Sequence, residues 1–463
     1  MPIIIPANSA ASGGYEVANS LRFNTASSDY LTRAASAFGT STNKKKCTIS
    51  FWIKRSTIAV QQAVMGVETT PAGGANEARI VLKSDDTLEF YDYQSGYKFR
   101  YITTRTFRDP SAWYHVVLAV DTTHPTGSAR VNIYINGVQE TSFSTSTDPA
   151  QNLDTFLNSG NYVQIGRQST GNSYLGSYLT EYAFIDGSTL AQTDFGEFDE
   201  DSAIWKPKAV SGLAFGTNGF YLDFEDSSAL GNDAAGSNNF SLNNLAAIDQ
   251  TTDTCTNNFA TINPLIVMNT DTVYSEGNLI MTPGGNTGNW QIGFSSIAVS
   301  AGKWYVETKM IGGNYVNGIS ETTSNQLSAS GPEHFIGGFT KEIGYYSQSG
   351  NKFVENSQSS YGASYTNGDI IGMALDLDSG TRTITFFKNG ASQGAITLPT
   401  SMELMTFGMS VNQGSSSAQF NFGNPPFSIS SGNTDANDFG NFEYAPPSGH
   451  LALCTKNVSE ADS

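Results

Sequence analysis

The chain is predicted to be all-β, arranged as two antiparallel β-sandwiches joined by an irregular connector. Three observations predict this. First, one strand-and-hairpin plan occurs twice. Trp113-Tyr114-His115-Val116-Val117-Leu118-Ala119-Val120-Asp121 leads to Val131-Asn132-Ile133-Tyr134-Ile135-Asn136-Gly137. Far downstream, Gly368-Asp369-Ile370-Ile371-Gly372-Met373-Ala374-Leu375-Asp376 leads to Thr383-Ile384-Thr385-Phe386-Phe387-Lys388-Asn389-Gly390. Asn-Gly suits a type I′ hairpin because both residues tolerate positive φ. Second, Val131, Ile133 and Ile135 alternate with Asn132, Tyr134 and Asn136, which is the period of a half-buried strand. Third, only 14% of residues are charged, against about 25% in ordinary globular chains. Gly, Ser, Thr and Asn take their place, as a turn-rich β protein requires.

In chain order, residues 1–14 read as an extended arm. Ile3, Ile4 and Ile5 lie between Pro2 and Pro6 without a local partner, so the arm is expected to dock on a sheet or on another chain. Residues 15–224 form the first sandwich, with strands at Ser20–Phe23, Cys47–Lys54, Arg79–Leu82, Leu88–Tyr93, Tyr97–Thr103, Trp113–Asp121, Val131–Ile135, Val163–Gly166 and Tyr178–Ile185. A short helical turn is expected at Leu190–Phe195. Residues 225–262 are rich in Asn, Ser and Asp, which favour Asx-turns over ladders, and read as the connector. Residues 263–428 form the second sandwich. Its strands fall near Val273–Glu276, Asn278–Met281, Gly288–Gly293, Gly302–Lys309, Glu333–Gly338, Ile343–Tyr346, Lys352–Glu355, Ile370–Asp376, Thr383–Lys388, Met405–Val411 and Ala418–Gly423. Residues 429–463 read as a tail.

Charge narrows the partners. The net charge is −18, and no Lys or Arg occurs between Lys208 and Lys303. Nucleic acid and anionic membranes need clustered cations, so neither is expected as a partner. No apolar run approaches the roughly 20 residues of a membrane span, so no insertion is expected. The opening residues lack the basic and apolar regions of a signal peptide. Three widely spaced cysteines, Cys47, Cys255 and Cys454, form neither a disulfide framework nor a zinc site.

Catalysis is not expected. The nearest approach to a glucanase carboxylate pattern is Glu197-Phe198-Asp199-Glu200-Asp201-Ser202, which ends in Ser and reads as a solvated loop. His115, His124, His334 and His450 lack metal spacing. No cofactor is expected. Calcium is the one candidate ion, at Asp85, Asp86, Asp121 and Asp186, which end strands. Asp376-Leu377-Asp378-Ser379-Gly380 reads as a hairpin turn. Ligand recognition is expected from aromatic residues in Asn- and Ser-rich loops: Tyr315, Tyr345, Tyr346, Tyr361 and Tyr365 in the second sandwich, and Tyr93 and Tyr97 in the first.

Three resemblances follow from quoted residues. Trp304-Tyr305-Val306-Glu307, Gly368-Asp369-Ile370-Ile371-Gly372, Asp376–Gly380 and Phe386-Phe387-Lys388-Asn389-Gly390 resemble a SPRY (B30.2-like) domain, a non-catalytic interaction module. Leu21-Arg22-Phe23, Thr48-Ile49-Ser50-Phe51-Trp52-Ile53-Lys54, Trp113-Tyr114-His115-Val116 and Ile133–Gly137 resemble a concanavalin A-like, laminin G-type sandwich. The arrangement as a whole is similar to bacteriophage virion proteins of the tail-fibre or appendage kind. The pieces that carry this are Pro2–Asn8, Asn218–Phe224, Thr256–Thr261 and Ala445–Gly449. That resemblance implies location in the virion and attachment to a host-surface glycan or protein. Other virion proteins, and further copies of the chain as in a trimer, are the implied assembly partners. A capsid decoration or head-appendage role is the alternative, and a polysaccharide depolymerase a third.

Overall fold

The structure is a computed structural model, described here over residues 14–168, 173–266, 272–284, 289–324, 334–412 and 416–461. Ile3, Ile4 and Ile5 of the arm lie outside the described residues. The chain divides into two compact units between Thr256 and Asn257. Nearly all regular structure is antiparallel strand, as the alternation predicts.

The first unit is a sandwich of two eight-stranded sheets. Its front sheet runs in the order Phe143–Thr147, Tyr97–Thr106, Thr87–Gln94, Gly73–Leu82, Gln62–Thr70, Tyr162–Ile165, Tyr30–Arg33 and Ser241–Asn243. The back sheet runs Val138–Gln139, Val131–Ile135, Trp113–Asp121, Lys46–Arg55, Ser177–Asp186, Ser20–Phe23 and Gln250–Thr251. Phe220–Leu222 also pairs with Ser177–Asp186. Alternate residues of both sheets meet in one core, among them Leu21, Phe51, Ile80, Phe90, Leu118, Ile133 and Tyr182. Each such side chain removed from water contributes roughly 1.5–3 kcal/mol.

The back sheet's outer face is also covered. Trp52, Trp113, Tyr178, Trp205 and Cys255 form a second apolar cluster there. His115 lies within this layer, its ring stacked on Trp52 at 4.7 Å. Its Nδ1 accepts from Trp205 Nε1 at 2.9 Å, which places its proton on Nε2, facing Ser50 Oγ at 2.8 Å. Burial pushes the imidazole down to about 3, so the ring is neutral. It is a packed histidine, with neither nitrogen left for a ligand.

The expected 225–262 connector is not a separate piece. Ser241–Asn243 completes the front sheet and Gln250–Thr251 the back sheet. Asp253 forms a buried ion pair with Lys54, Nζ to Oδ2 2.7 Å, both side chains at most 1% exposed. Asp233 accepts backbone N–H bonds from Tyr221, Ala235 and Asn238, so the polar composition serves turns that belong to the sandwich. Limited proteolysis is therefore expected to leave residues 225–256 uncut while the first unit remains folded. Early cleavage there, mapped by mass spectrometry, would contradict this packing.

The second unit pairs an eight-stranded with a six-stranded sheet. The larger runs Val273–Ser275, Ile280–Thr282, Ser417–Asn421, Lys303–Ile311, Ile370–Asp376, Thr383–Lys388 and Ala391–Thr397. Leu451–Ala452 joins it in parallel beside Lys303–Ile311, so the expected tail packs on this unit. The smaller runs Gln291–Phe294, Met405–Asn412, Asn314–Glu321, Glu342–Tyr346, Asn351–Val354 and Ser357–Ser360. Asn314–Glu321 is a central strand that the sequence pattern did not mark. Residues 334–338, expected as strand, instead form turns laid over the sheet. Glycines 318, 344 and 408 lie side by side beneath them, and a Cβ on Gly344 would stand 2.1 Å from the Ile336 carbonyl oxygen.

Both Asn-Gly hairpins form as predicted, with φ of 49° and 77° at Asn136 and Gly137, and 47° and 79° at Asn389 and Gly390. Each glycine is also pressed by an aromatic ring: a Cβ would meet Trp205 at 2.2 Å and Tyr444 at 2.7 Å.

Candidate functional site

The front sheet of the first unit has an outer face that the core does not use. Ala78, Ile80, Leu88, Phe90, Phe99 and Tyr101 point inward. Strand alternation therefore sends Glu77 and Arg79, Glu89, Tyr91 and Tyr93, and Arg100 to the other side. The registers place Arg79 between Gly66 and Tyr91, and Tyr91 beside Arg100. Further across, Glu68 is level with Tyr162, and Gly66 with Gln164.

Charges on this face are paired into a rigid lattice. Arg79 Nη2 reaches Glu68 Oε1 at 3.0 Å and Glu77 Oε2 at 2.5 Å, while its Nη1 donates to Gln168 Oε1 at 3.1 Å. Tyr91 donates its hydroxyl to Glu77 at 2.7 Å, and Arg100 Nε donates to Glu89 at 2.7 Å. Burial pushes the Tyr91 phenol up, so it stays protonated.

Aromatic rings stand on this lattice. Tyr97, at the Ser95-Gly96 hairpin, meets Tyr93 edge-on at 5.2 Å and Tyr91 at 5.4 Å. The Arg100 guanidinium lies 4.5 Å from the centre of the Tyr97 ring. Tyr97 remains 46% exposed, and Tyr93 is half-buried. At the far side of the face, Arg167 lies 4.8 Å from the ring of Tyr30 and 5.3 Å from that of Tyr174. Fixed rings beside amides and paired charges suit the stacking and hydrogen-bonding faces of a sugar.

Residues 25–193 match the concanavalin A-like lectin/glucanases superfamily, in its laminin G-type form, and residues 279–425 match the SPRY domain. The chain carries a concanavalin A-like domain followed by a SPRY domain. A human SPRY domain structure is 16% identical, covering 32% of this chain and 94% of its own, at a TM-score of 0.26. A Bacteroides ovatus protein whose name assigns it carbohydrate binding is 18% identical, covering 50% of this chain and 59% of its own, at a TM-score of 0.36. No curated protein matches the chain.

In the SPRY domain most of the expected loop tyrosines are not on loops that face solvent. Tyr345 lies on the Glu342–Tyr346 strand and is fully buried, its hydroxyl bonded to the Ala363 carbonyl. Its ring packs on Tyr361 at 5.3 Å, Tyr365 at 4.7 Å and Phe386 at 5.3 Å. Tyr365 is buried, bonding the Tyr345 carbonyl and receiving Asn317 Nδ2 at 3.1 Å. Tyr361 is half-buried against the same core, its hydroxyl on the Gly394 carbonyl. Tyr315 is 1% exposed and donates to the Ile311 carbonyl at 2.7 Å. These four are core residues, because each phenol finds a backbone carbonyl and so loses nothing by burial. Tyr346 alone points outward. It joins a half-exposed set with Trp290 at 6.2 Å and Phe353 at 6.3 Å, and Trp290 also meets Phe335 at 5.7 Å. Trp290, Phe335 and Phe353 escaped the sequence reading because they come from three distant segments.

The four candidate calcium ligands do not converge. Asp86 pairs with Arg55 at 2.8 Å and with Arg108 at 3.1 Å. Asp121 pairs with Lys46 at 2.9 Å, and Asp85 accepts from Thr87 Oγ1 at 2.6 Å. Asp186 accepts from Thr42 N, Asn218 N and Asn158 Nδ2. Among the described residues no group of three His, Cys, Asp or Glu is placed to hold a metal ion. The acidic run at 197–202 is the turn of a two-stranded hairpin, where Asp199 accepts from Ser202 N and from Lys206 Nζ at 3.1 Å. Asp376 likewise closes a hairpin by accepting from Asp378 N and Ser379 N.

Proposed function

We propose that this chain is a non-enzymatic virion attachment protein whose concanavalin A-like domain binds a host-surface glycan on the outer face of its front sheet. The observation that carries the glycan reading is the Tyr91–Tyr93–Tyr97 ring cluster, held by Arg100 and the Glu68–Arg79–Glu77 lattice. The virion setting is supported by the resemblance of Pro2–Asn8, Asn218–Phe224, Thr256–Thr261 and Ala445–Gly449 to phage appendage proteins. A binding role also accords with the two domain types present, both common as interaction modules. The reading invokes no cofactor.

Glycan-array and whole-cell binding of the full chain test it. Tyr93→Ala combined with Tyr97→Ala is expected to weaken glycan binding about tenfold or more, since each stacked ring contributes roughly 1 kcal/mol beyond area burial. Thermal stability should barely change, because Tyr97 is largely exposed and Tyr93 is outside the core. A chelator should leave binding intact. Full binding by the double variant, or its loss to chelator alone, would reject the site.

A further inference from the structure

On the opposite side of the same domain, the outer face of the back sheet holds a groove of ≈ 490 Å³. That volume falls within the range of about 300–1,000 Å³ usual for small-ligand sites. The floor is Tyr221, from the Phe220–Leu222 strand, and the walls include Tyr15, Phe215, Asp223 and Ala235. Phe215 and Tyr221 form a tilted aromatic wall with ring centres 6.2 Å apart. The two phenol oxygens, Tyr15 and Tyr221, lie 3.2 Å apart. Both are anchored from behind by one carboxyl group: Tyr221 donates to Glu181 Oε2 at 2.7 Å and Tyr15 to Oε1 at 3.4 Å. Glu181 reaches them because its strand bulges between Thr180 and Ala183, where Glu181 takes a φ of 52°. The side chain is 6% exposed, so its role is to fix the phenols and not to line the groove.

The chemistry of this lining excludes one ligand class and favours another. None of the lining residues is basic, and Asp223, half-buried, is the one acidic side chain among them. An anionic ligand would meet a carboxylate without a counter-charge. A pyranose meets rings for its C–H face, a carboxylate acceptor for paired hydroxyls, and two held phenols. We propose that this groove is a second saccharide subsite, taking a terminal pyranose that bears no anionic group. It goes beyond the front-sheet site, lies on the other sheet, and can fail independently of it.

Saturation-transfer NMR on the full chain tests this, with the methyl glycosides of glucose, galactose, glucosamine and glucuronic acid as probes. Transfer is expected to the neutral or amino glycosides and not to the glucuronide. The glucosamine arm separates amine recognition by Asp223 from neutral-sugar stacking. In the Tyr93→Ala, Tyr97→Ala background, Ala235→Trp, which fills the groove from an exposed position, and Asp223→Asn should each cut the remaining signal at least fivefold relative to that double variant. Loss of all transfer in the Tyr93→Ala, Tyr97→Ala protein would overturn the groove and leave the front sheet as the site. Transfer unaffected by those two changes but abolished by Ala235→Trp would support the groove and reject the front sheet. Equal transfer to the glucuronide would overturn the proposed selectivity.

Discussion

Replacing Asp253 with alanine is expected to destabilise the concanavalin A-like domain by about 3–5 kcal/mol, the usual cost of stranding one member of a buried ion pair. Lys54 Nζ lies 2.7 Å from Asp253 Oδ2, with both side chains essentially inaccessible. Trp113 Nε1 also donates to Asp253, at 3.4 Å, inside the same layer. Burial already pushes the Lys54 ammonium down from its ordinary value, and Asp253 opposes this most strongly, with Asp109 adding to it. Without Asp253 the lysine must either deprotonate or drag water into the Trp52–Trp113–Tyr178 cluster. Chemical denaturation of the full chain, followed by tryptophan fluorescence, should show an earlier first transition. The double variant Lys54→Met with Asp253→Leu should recover much of the loss, since no charge is left to strand. A small effect of Asp253→Ala alone would mean that residues 250–256 do not close the sandwich.

Raising the pH from 5 to 8 is expected to weaken the SPRY domain more than the concanavalin A-like domain. Burial pushes Glu307 and Glu342 up to about 7 in the former and Glu181 up to about 7 in the latter. Each carboxyl has an unfolded value near 4.5, so the native state holds a proton that the unfolded chain has released between these two values. Stability then falls as pH rises through that window and levels off above it. For each carboxyl the change is roughly 2–3 kcal/mol. His115 acts in the opposite sense in the first domain. It stays neutral in the fold down to about 3, so its contribution grows as pH rises toward 6.5 and largely offsets Glu181. In the SPRY domain His450, lowered by partial burial, opposes two carboxyls and not one. Glu307 accepts from Glu443 N, Tyr444 N and Asn421, and Glu342 from Gly337 N, Ser320 and Ser324. Thermal scans across pH 5–8, with Glu342→Gln and Glu307→Gln flattening the slope, check the sign. Stability of the SPRY domain rising over that range would contradict it.

Local chemistry made much of the fold legible. Trp113–Asp121, Val131–Ile135, Ile370–Asp376 and Thr383–Lys388 form over the residues their alternation indicates. Where a strand's neighbours are polar on both sides, as in Tyr30–Arg33 and Asn314–Glu321, periodicity is weak and the strands went unread. That Tyr93 and Tyr97 reach the surface was legible because a Ser-Gly hairpin presents them, which is a local property. Tyr345 and Tyr365 were misplaced because composition cannot show that their hydroxyls meet the carbonyls of Ala363 and Tyr345.

By itself the sequence determined the fold class, the two Asn-Gly reversals and the net charge of −18, since each depends on residues adjacent in the chain or on a sum over it. Only the tertiary structure decided where residues 225–256 belong, which tyrosines face solvent, and that Glu181 ties together Tyr15 and Tyr221, the two phenols of one groove. Those partners are 166 and 40 residues apart. No periodicity reports on such separations, because the distance between them is fixed by strand pairing and burial and not by the chain that joins them.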